Sequence, residues 1–199
     1  ALFDYIDRGV GEEAALRGLR HSLDATKIVP RVLGARRDRS LGCSLFGRAS
    51  SAPFAIAPTA MAGLVCHDGE IVLARAAAEL GVPLCLSTQS ITSVGRLRAA
   101  VPEAEIWMQL YLWQDRELSL GLLARAREAC AAVLVLTVDT PYGARKPWNE
   151  RSGFGMPFRP GLRGLAGFAV RPGWLVRTIL PSLWKGGLPR LENYPEGMA

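Results

Sequence analysis

Four apolar runs in this sequence end on side chains that can donate or accept hydrogen bonds. Thr59 follows PFAIAP, Ser87 and Thr88 close VPLCLS, Gln109 and Tyr111 stand in IWMQLY, and Thr137 and Asp139 end AVLVLTVD. Hydroxyls, a carboxamide and a phenol orient a ligand through hydrogen bonds, and the first three do so without titrating near neutral pH. One such residue could be a loop cap. Four sets in equivalent places imply a shared rim. Cys43, Cys66, Cys85 and Cys130 are too widely separated for a CxxC site, so the expectation is reduced, mostly buried thiols and no metal.

These residues need elements to hold them. The apolar runs start at Pro53, Val82, Ile106 and Ala132, and the first three are followed by helical patterns over 69–80, 91–100 and 115–129. Continuous rather than alternating hydrophobicity marks strands covered on both faces, hence a parallel βα repeat. An open doubly wound sheet and a closed (β/α)8 barrel both satisfy it. The absence of GxGxxG after the first strand lowers the former, and polar groups at every strand end favour the latter. Upstream, 11–25 reads as a helix with Ala14, Ala15, Leu19 and Leu23 along one side, and 40–48 as a short strand or hairpin arm.

The bulk numbers bound the rest. With 199 residues, 49% of them hydrophobic, the chain can build a real core. Its net charge of +6 is concentrated late: seven basic residues and no acidic one lie between Arg151 and Leu191. That stretch is rich in Gly, Pro and Trp and has no nucleic-acid reader motif, so no nucleic-acid partner is expected. Trp174 and Trp184, with Arg171, Arg177 and Lys185, suit either a membrane interface or packing, and Pro181 is expected to interrupt any long helix there. Residues 49–66 carry no charge, but Pro53, Pro58 and Gly63 make a strand and turn fit better than a membrane span. His67, in CHDGE, reads as packing at a helix start, and His21 as an exposed helix residue.

In order along the chain, FDYIDRGVGEE, PRVL, APTAMAGLVCHDGE, ARAAAELGVPLCLST, QLYLWQDR, LTVDTP and RSGFGMP closely resemble the FMN-dependent α-hydroxy acid dehydrogenase and oxidase family. The tail RPGWLVRTILPSLWKGGLPRLENY resembles the loop after strand four in its mandelate dehydrogenase branch. The resemblance implies a TIM barrel, (β/α)8, of which this chain supplies the N-terminal helix and hairpin (1–50), the first four βα strands (51–140) and the long loop after strand four (141–199). It implies FMN as cofactor, a mandelate-like 2-hydroxy acid as substrate, and oxidation to the 2-oxo acid.

By the same resemblance, Pro58, Thr59 and Ala60 lie beside the reactive edge of the flavin, and Ser87, Gln109 and Thr137 hydrogen-bond its ring. Tyr111 and Asp139 belong to the catalytic group, the former near the substrate hydroxyl and the latter orienting a histidine base. Tyr5 and Lys146 face the substrate. An arginine is usual at position 146, and lysine keeps the charge without the two-pronged fork. Gln89 stands where glycolate oxidases carry tryptophan, which is compatible with a larger substrate.

Nothing matches the family's strand-five lysine, its HGGR segment with the base histidine, or its phosphate site. A C-terminal half, on the same or a companion chain, is therefore an expected partner, and the 199 residues alone should not turn over. A homotetramer, a cytoplasmic location and peripheral membrane contact through 164–190 complete the expectations. A non-catalytic half-barrel module is the alternative reading.

Overall fold

The computed structural model describes residues 2–34, 38–139, 145–152, 171–187 and 189–194. They fall into two compact units, residues 1–40 with 141–170 and residues 41–140 with 171–199.

The first unit contains α1 (Leu2–Asp7), α2 (Ala14–Ala25) and a later helix at Pro147–Ser152. Its contacts include the Gly11 N–H donating to the Arg145 carbonyl at 3.4 Å and cations set over rings. The Arg8 guanidinium lies 4.8 Å from the Trp148 ring centre, and the Lys146 ammonium 4.6 Å from that of Tyr5. The helix expected over 11–25 begins at Ala14, after Glu13 in a left-handed conformation (φ 62°). Its apolar side is not buried, with Leu19 66% and Leu23 70% exposed.

The second unit opens with a hairpin, β1 (Cys43–Leu45) against β2 (Arg48–Ser50). Its turn, Phe46–Gly47, has positive φ at both positions, as a tight two-residue hairpin requires. The Phe46 ring meets Trp107 edge-on at 5.3 Å. The repeat then runs α3 (Ala62–Val65), α4 (Gly69–Leu80), β3 (Leu84–Leu86), α5 (Val94–Ala100), β4 (Ile106–Tyr111), α6 (Arg116–Glu128) and β5 (Val133–Thr137). The α7 helix is Pro147–Ser152 of the first unit.

Strands β3, β4 and β5 are parallel and adjacent in chain order, with Leu84 opposite Ile106 and Trp107 opposite Val133. The first apolar run contributes a single parallel bridge, Ile56 to Leu84. Pro53 and Pro58 bracket it, and proline has no N–H for a ladder. The parallel order therefore advances from the Ile56 segment through β3 and β4 to β5 without reversing, as a barrel requires and a doubly wound sheet does not.

Leu84, Leu86, Ile106, Met108 and Leu110 point to the helical side, joining Ile71, Ala74, Ala77, Leu97, Leu122 and Ala126 in one buried cluster. The alternate residues Cys85, Trp107 and Gln109 occupy the opposite face, the inside of the curve. Helix boundaries are set locally. Ser93 Oγ accepts from the Arg96 N–H and Asp115 from the Glu117 N–H, while Gly81 at φ 66° ends α4. Arg98 staples the far ends of the sheet by donating to the carbonyls of Ala104, Ala129 and Cys130.

Two expectations change. Among the cysteines, only Cys85 is buried; Cys66 and Cys130 are exposed and Cys43 is half-buried, all as free thiols. The first two lie at loop and helix-end positions, outside the sheet that makes the core. Pro181 does not interrupt the late helix. Residues 172–186 are helical throughout, as α8 (Pro172–Trp174), a π-helical stretch (Leu175–Ile179) and α9 (Leu180–Gly186). A wider turn just before a proline relieves the clash of its ring with the preceding carbonyls and absorbs the missing N–H.

Candidate functional site

At the C-terminal ends of the parallel strands, three residues on three strands are joined by directional hydrogen bonds. The Thr88 N–H donates to Gln109 Oε1 at 2.9 Å, and the Thr88 hydroxyl donates to the Gln109 carbonyl at 2.6 Å. Because the amide oxygen of Gln109 is taken on the β3 side, its nitrogen faces β5, where Nε2 donates to Thr137 Oγ1 at 2.9 Å. Gln109 is 2% exposed and Thr88 fully buried, so this relay is sheltered from water. Among the described residues, neither the second amide hydrogen of Gln109 nor the hydroxyl hydrogen of Thr137 meets a protein acceptor. The rim is thus a donor edge, suited to a planar group carrying carbonyl oxygens and ring nitrogens.

Neighbouring residues extend it. Ser87 is buried and its Oγ accepts from the Gln89 N–H at 3.0 Å, while the Met61 N–H donates to the Gln89 carbonyl at 3.0 Å, tying the end of the first strand to the β3 loop. Pro58 and Thr59 are exposed just before this tie and Ala60 is half-buried. Tyr111, half-buried, stands opposite Thr137 in register. Asp139 is exposed, two residues past the end of β5. Tyr5 and Lys146 pair with one another in the first unit.

Not every reactive side chain serves this rim. Burial pushes the Cys85 thiol up to about 11, which keeps it protonated and unreactive. His67 is committed elsewhere: its Nδ1 meets Ser182 Oγ at 3.1 Å, and the Ser182 hydroxyl donates to the Thr178 carbonyl at 2.8 Å. The histidine therefore supplies the proton of the first bond, and it joins the start of α4 to α9. His21 is exposed on α2. Among the described residues, no cluster of His, Cys, Asp and Glu could hold a metal.

Residues 1–194 match the family described as FMN-dependent dehydrogenase. The chain belongs to that family. It is 39% identical over 173 residues to an L-lactate dehydrogenase of Caulobacter sp. (strain K31), covering 87% of this chain and 45% of the relative. To a 4-hydroxymandelate oxidase of Amycolatopsis orientalis it is 36% identical, covering 78% and 43%. Among solved structures, a monotopic membrane protein, (S)-mandelate dehydrogenase, superposes with a TM-score of 0.87 at 26% identity, covering 98% of this chain and 51% of that one. A mandelate oxidase with (S)-2-phenylpropionate gives 0.73 at 36% identity, covering 78% and 46%. The chain spans about half the length of the relatives it matches. The sheet is accordingly part of a TIM barrel and the family's cofactor is FMN, which the donor edge fits.

Sequence reasoning missed one set of residues at this rim. Glu192, Asn193 and Tyr194 hold the loop between β3 and α5 from outside, through bonds spanning about a hundred positions of chain. Asn193 is fully buried, with its amide bonded at both ends. RLENY carries no motif that would announce it. The other missed residue is Glu70, a buried carboxylate accepting from the Ile91 N–H and the Thr92 hydroxyl; its spacing in CHDGE reads only as the first turn of a helix.

Proposed function

We propose that this chain forms the flavin edge and part of the substrate pocket of an FMN-dependent enzyme oxidising a 2-hydroxy acid, mandelate-like in size, to the 2-oxo acid. The observation that carries the reading is the Thr88–Gln109–Thr137 relay across adjacent strand ends. Bound FMN supplies the acceptor for the hydride equivalent leaving the hydroxyl-bearing carbon. Ser87, Gln109 and Thr137 hold its ring by hydrogen bonds, and the small residues Pro58, Thr59 and Ala60 allow backbone to approach the ring closely. Tyr111 hydrogen-bonds the substrate hydroxyl, and Tyr5 with Lys146 receives the substrate carboxylate.

Gln89 borders the substrate side chain and leaves room for an aryl group. Asp139 orients the base. By the family resemblance that base belongs to the C-terminal half of the barrel; His67 instead meets Ser182 and His21 stands on an exposed helix. All of these residues belong to one barrel domain, divided as helix and hairpin, βα units and loop, in a homotetramer.

The test is FMN titration of the complete protein by flavin fluorescence, followed by anaerobic addition of mandelate. Binding and bleaching of the flavin support the reading. A protein that neither binds FMN nor bleaches it refutes the reading.

The same reading includes peripheral membrane contact. Along 172–186 the inner side is fixed by the Trp174 indole N–H donating to the Leu64 carbonyl, by buried Thr178 and by Ser182. The outer side presents Val176, Leu180, Leu183 and Trp184, the last 95% exposed. An apolar helix face turned outward beside Arg171 and Arg177 suits the plane of a lipid interface. Among the described residues no helix is long and apolar enough to cross a membrane. Residues 164–170 of the expected contact lie outside the described residues. Cosedimentation with anionic vesicles at low salt tests this part, and its absence removes it.

A further inference from the structure

The β3–α5 loop, Ser87 to Ser93, carries two residues of the proposed site, and beyond its own short-range bonds, such as the Gln89 N–H to Ser87 Oγ and the Thr92 N–H to Ser90 Oγ, it is held by a segment distant in sequence. Asn193 reaches both of its ends. Its Nδ2 donates to the Ser87 carbonyl at 3.3 Å and to the Thr92 carbonyl at 3.1 Å, while its Oδ1 accepts from the Val94 N–H at 3.1 Å. Either side of Asn193, Glu192 accepts from the Ser93 N–H at 2.8 Å, its own N–H donates to the Ser90 carbonyl at 3.1 Å, and the Tyr194 hydroxyl accepts from Gln89 Nε2 at 3.2 Å. The clamp is itself fixed. Arg125 of α6 donates to the carbonyls of Glu192 and Asn193 at 3.2 and 2.9 Å, and the Tyr194 ring meets Trp113 edge-on at 5.6 Å.

A fully buried residue needed only to fill space would be apolar, because burying an amide gains nothing unless each end is bonded. Asn193 meets that condition through the main chain of one loop. One side chain thereby bridges Ser87 and Val94, and the next residue holds Gln89 in the middle. The geometry points to Asn193 and Tyr194 as positioning residues of the site: Asn193 sets Ser87 against the flavin, and Tyr194 sets Gln89 and so the room left for the substrate side chain. This rests on the assignment of the rim to FMN and a 2-hydroxy acid.

The experiment compares the wild-type complete enzyme with Asn193→Asp and Tyr194→Phe. Asn193→Asp keeps an acceptor for the Val94 N–H but turns a carboxylate oxygen toward two carbonyls. Tyr194→Phe keeps the ring on Trp113 and removes only the hydroxyl. Two quantities are read: the FMN dissociation constant by fluorescence titration, and the ratio of kcat/KM for an aryl over a short alkyl 2-hydroxy acid.

Asn193→Asp should weaken FMN binding by about tenfold or more, the loss expected when a buried polar partner is removed. Tyr194→Phe should leave FMN affinity within about twofold, yet shift the substrate ratio by roughly fivefold through KM rather than kcat. A merely structural role would not move that ratio. If both variants bind FMN as the wild type does and the ratio is unchanged, the inference is overturned. If Asn193→Asp fails to fold, an unchanged ratio in Tyr194→Phe overturns it alone. A wild-type protein that binds no FMN would instead overturn the proposed function, so the two failures are distinguishable.

Discussion

Residues 172–186 and 191–194 belong to the same Gly-, Pro- and Arg-rich tail, and each inverts the ordinary arrangement of side chains in an opposite sense. The helical run turns its hydroxyls inward and leaves Trp184 and Leu180 outside, whereas the short segment beyond it places an asparagine where no water reaches. Both inversions cost free energy in an isolated globule, since exposed apolar area and buried polar groups are each disfavoured. They are sustained for different reasons. The first fits the proposed lipid contact, and the second is sustained by the bonds the amide makes. Composition averages the two and shows neither.

The largest expected effect breaks the buried member of this pair. Asn193→Ala strands the Val94 N–H and two carbonyls, and should cost roughly 2–4 kcal/mol of stability, read as a lower urea midpoint at unchanged slope. The reciprocal change on the helix, Trp184→Ser with Leu180→Ser, should cost about 1 kcal/mol or less, because Trp184 is almost fully exposed and Leu180 half exposed. Vesicle cosedimentation of the same variant should fall severalfold. If the Trp184 and Leu180 changes destabilise more than the Asn193 change, the contrast between the two segments is wrong.

Much of the sheet was legible because hydrophobic continuity is a local signal. The runs starting at Val82, Ile106 and Ala132 became β3, β4 and β5, and the polar residues at their ends lie side by side because parallel register requires it. The first run was legible as apolar but shrank to one bridge between two prolines. Seven family motifs carried the cofactor without any geometry at all.

What could not be read has a common cause. Asn193 has its side-chain partners about a hundred residues away, and no periodicity records such a distance. The helix through Pro181 depends on a π-turn that propensity argues against, stabilised by the inward bonds of Trp174 and Ser182. Exposed Cys66 and Cys130 contradict the usual burial of thiols, since their places at a helix end and a loop follow from chain direction, not from hydrophobicity.

An intermediate effect tests how the exposed helix is held. Ser182→Ala removes both the acceptor for His67 Nδ1 and the donor to the Thr178 carbonyl, and should cost about 1–2 kcal/mol for two partly buried hydrogen bonds. Denaturant unfolding of the variant checks it. A cost near zero would mean that the helix is seated by the Trp174 bond and apolar contact alone, leaving the two segments anchored by different forces rather than both by polar bonds.

The smallest effect concerns the interior against which both segments are judged. Cys85 lies under the rim with its thiol raised to about 11 by burial, above the ordinary 9.0 that the unfolded chain retains. Below pH 9 both states hold the proton and the group is silent. Between 9.0 and about 11 the unfolded chain ionises while the folded one does not, so stability declines as pH rises through that window. Urea midpoints should therefore fall from neutral pH to about pH 10, and Cys85→Ala should remove part of that slope. Iodoacetamide gives a second measure: Cys66 and Cys130 should alkylate in the native protein while Cys85 reacts only on unfolding. Native reaction at Cys85 as fast as at the other two would show that the inner face is open to water. The burial of Gln109 and its donor relay would then lose its meaning, because a wet rim gives up the low dielectric that strengthens those bonds.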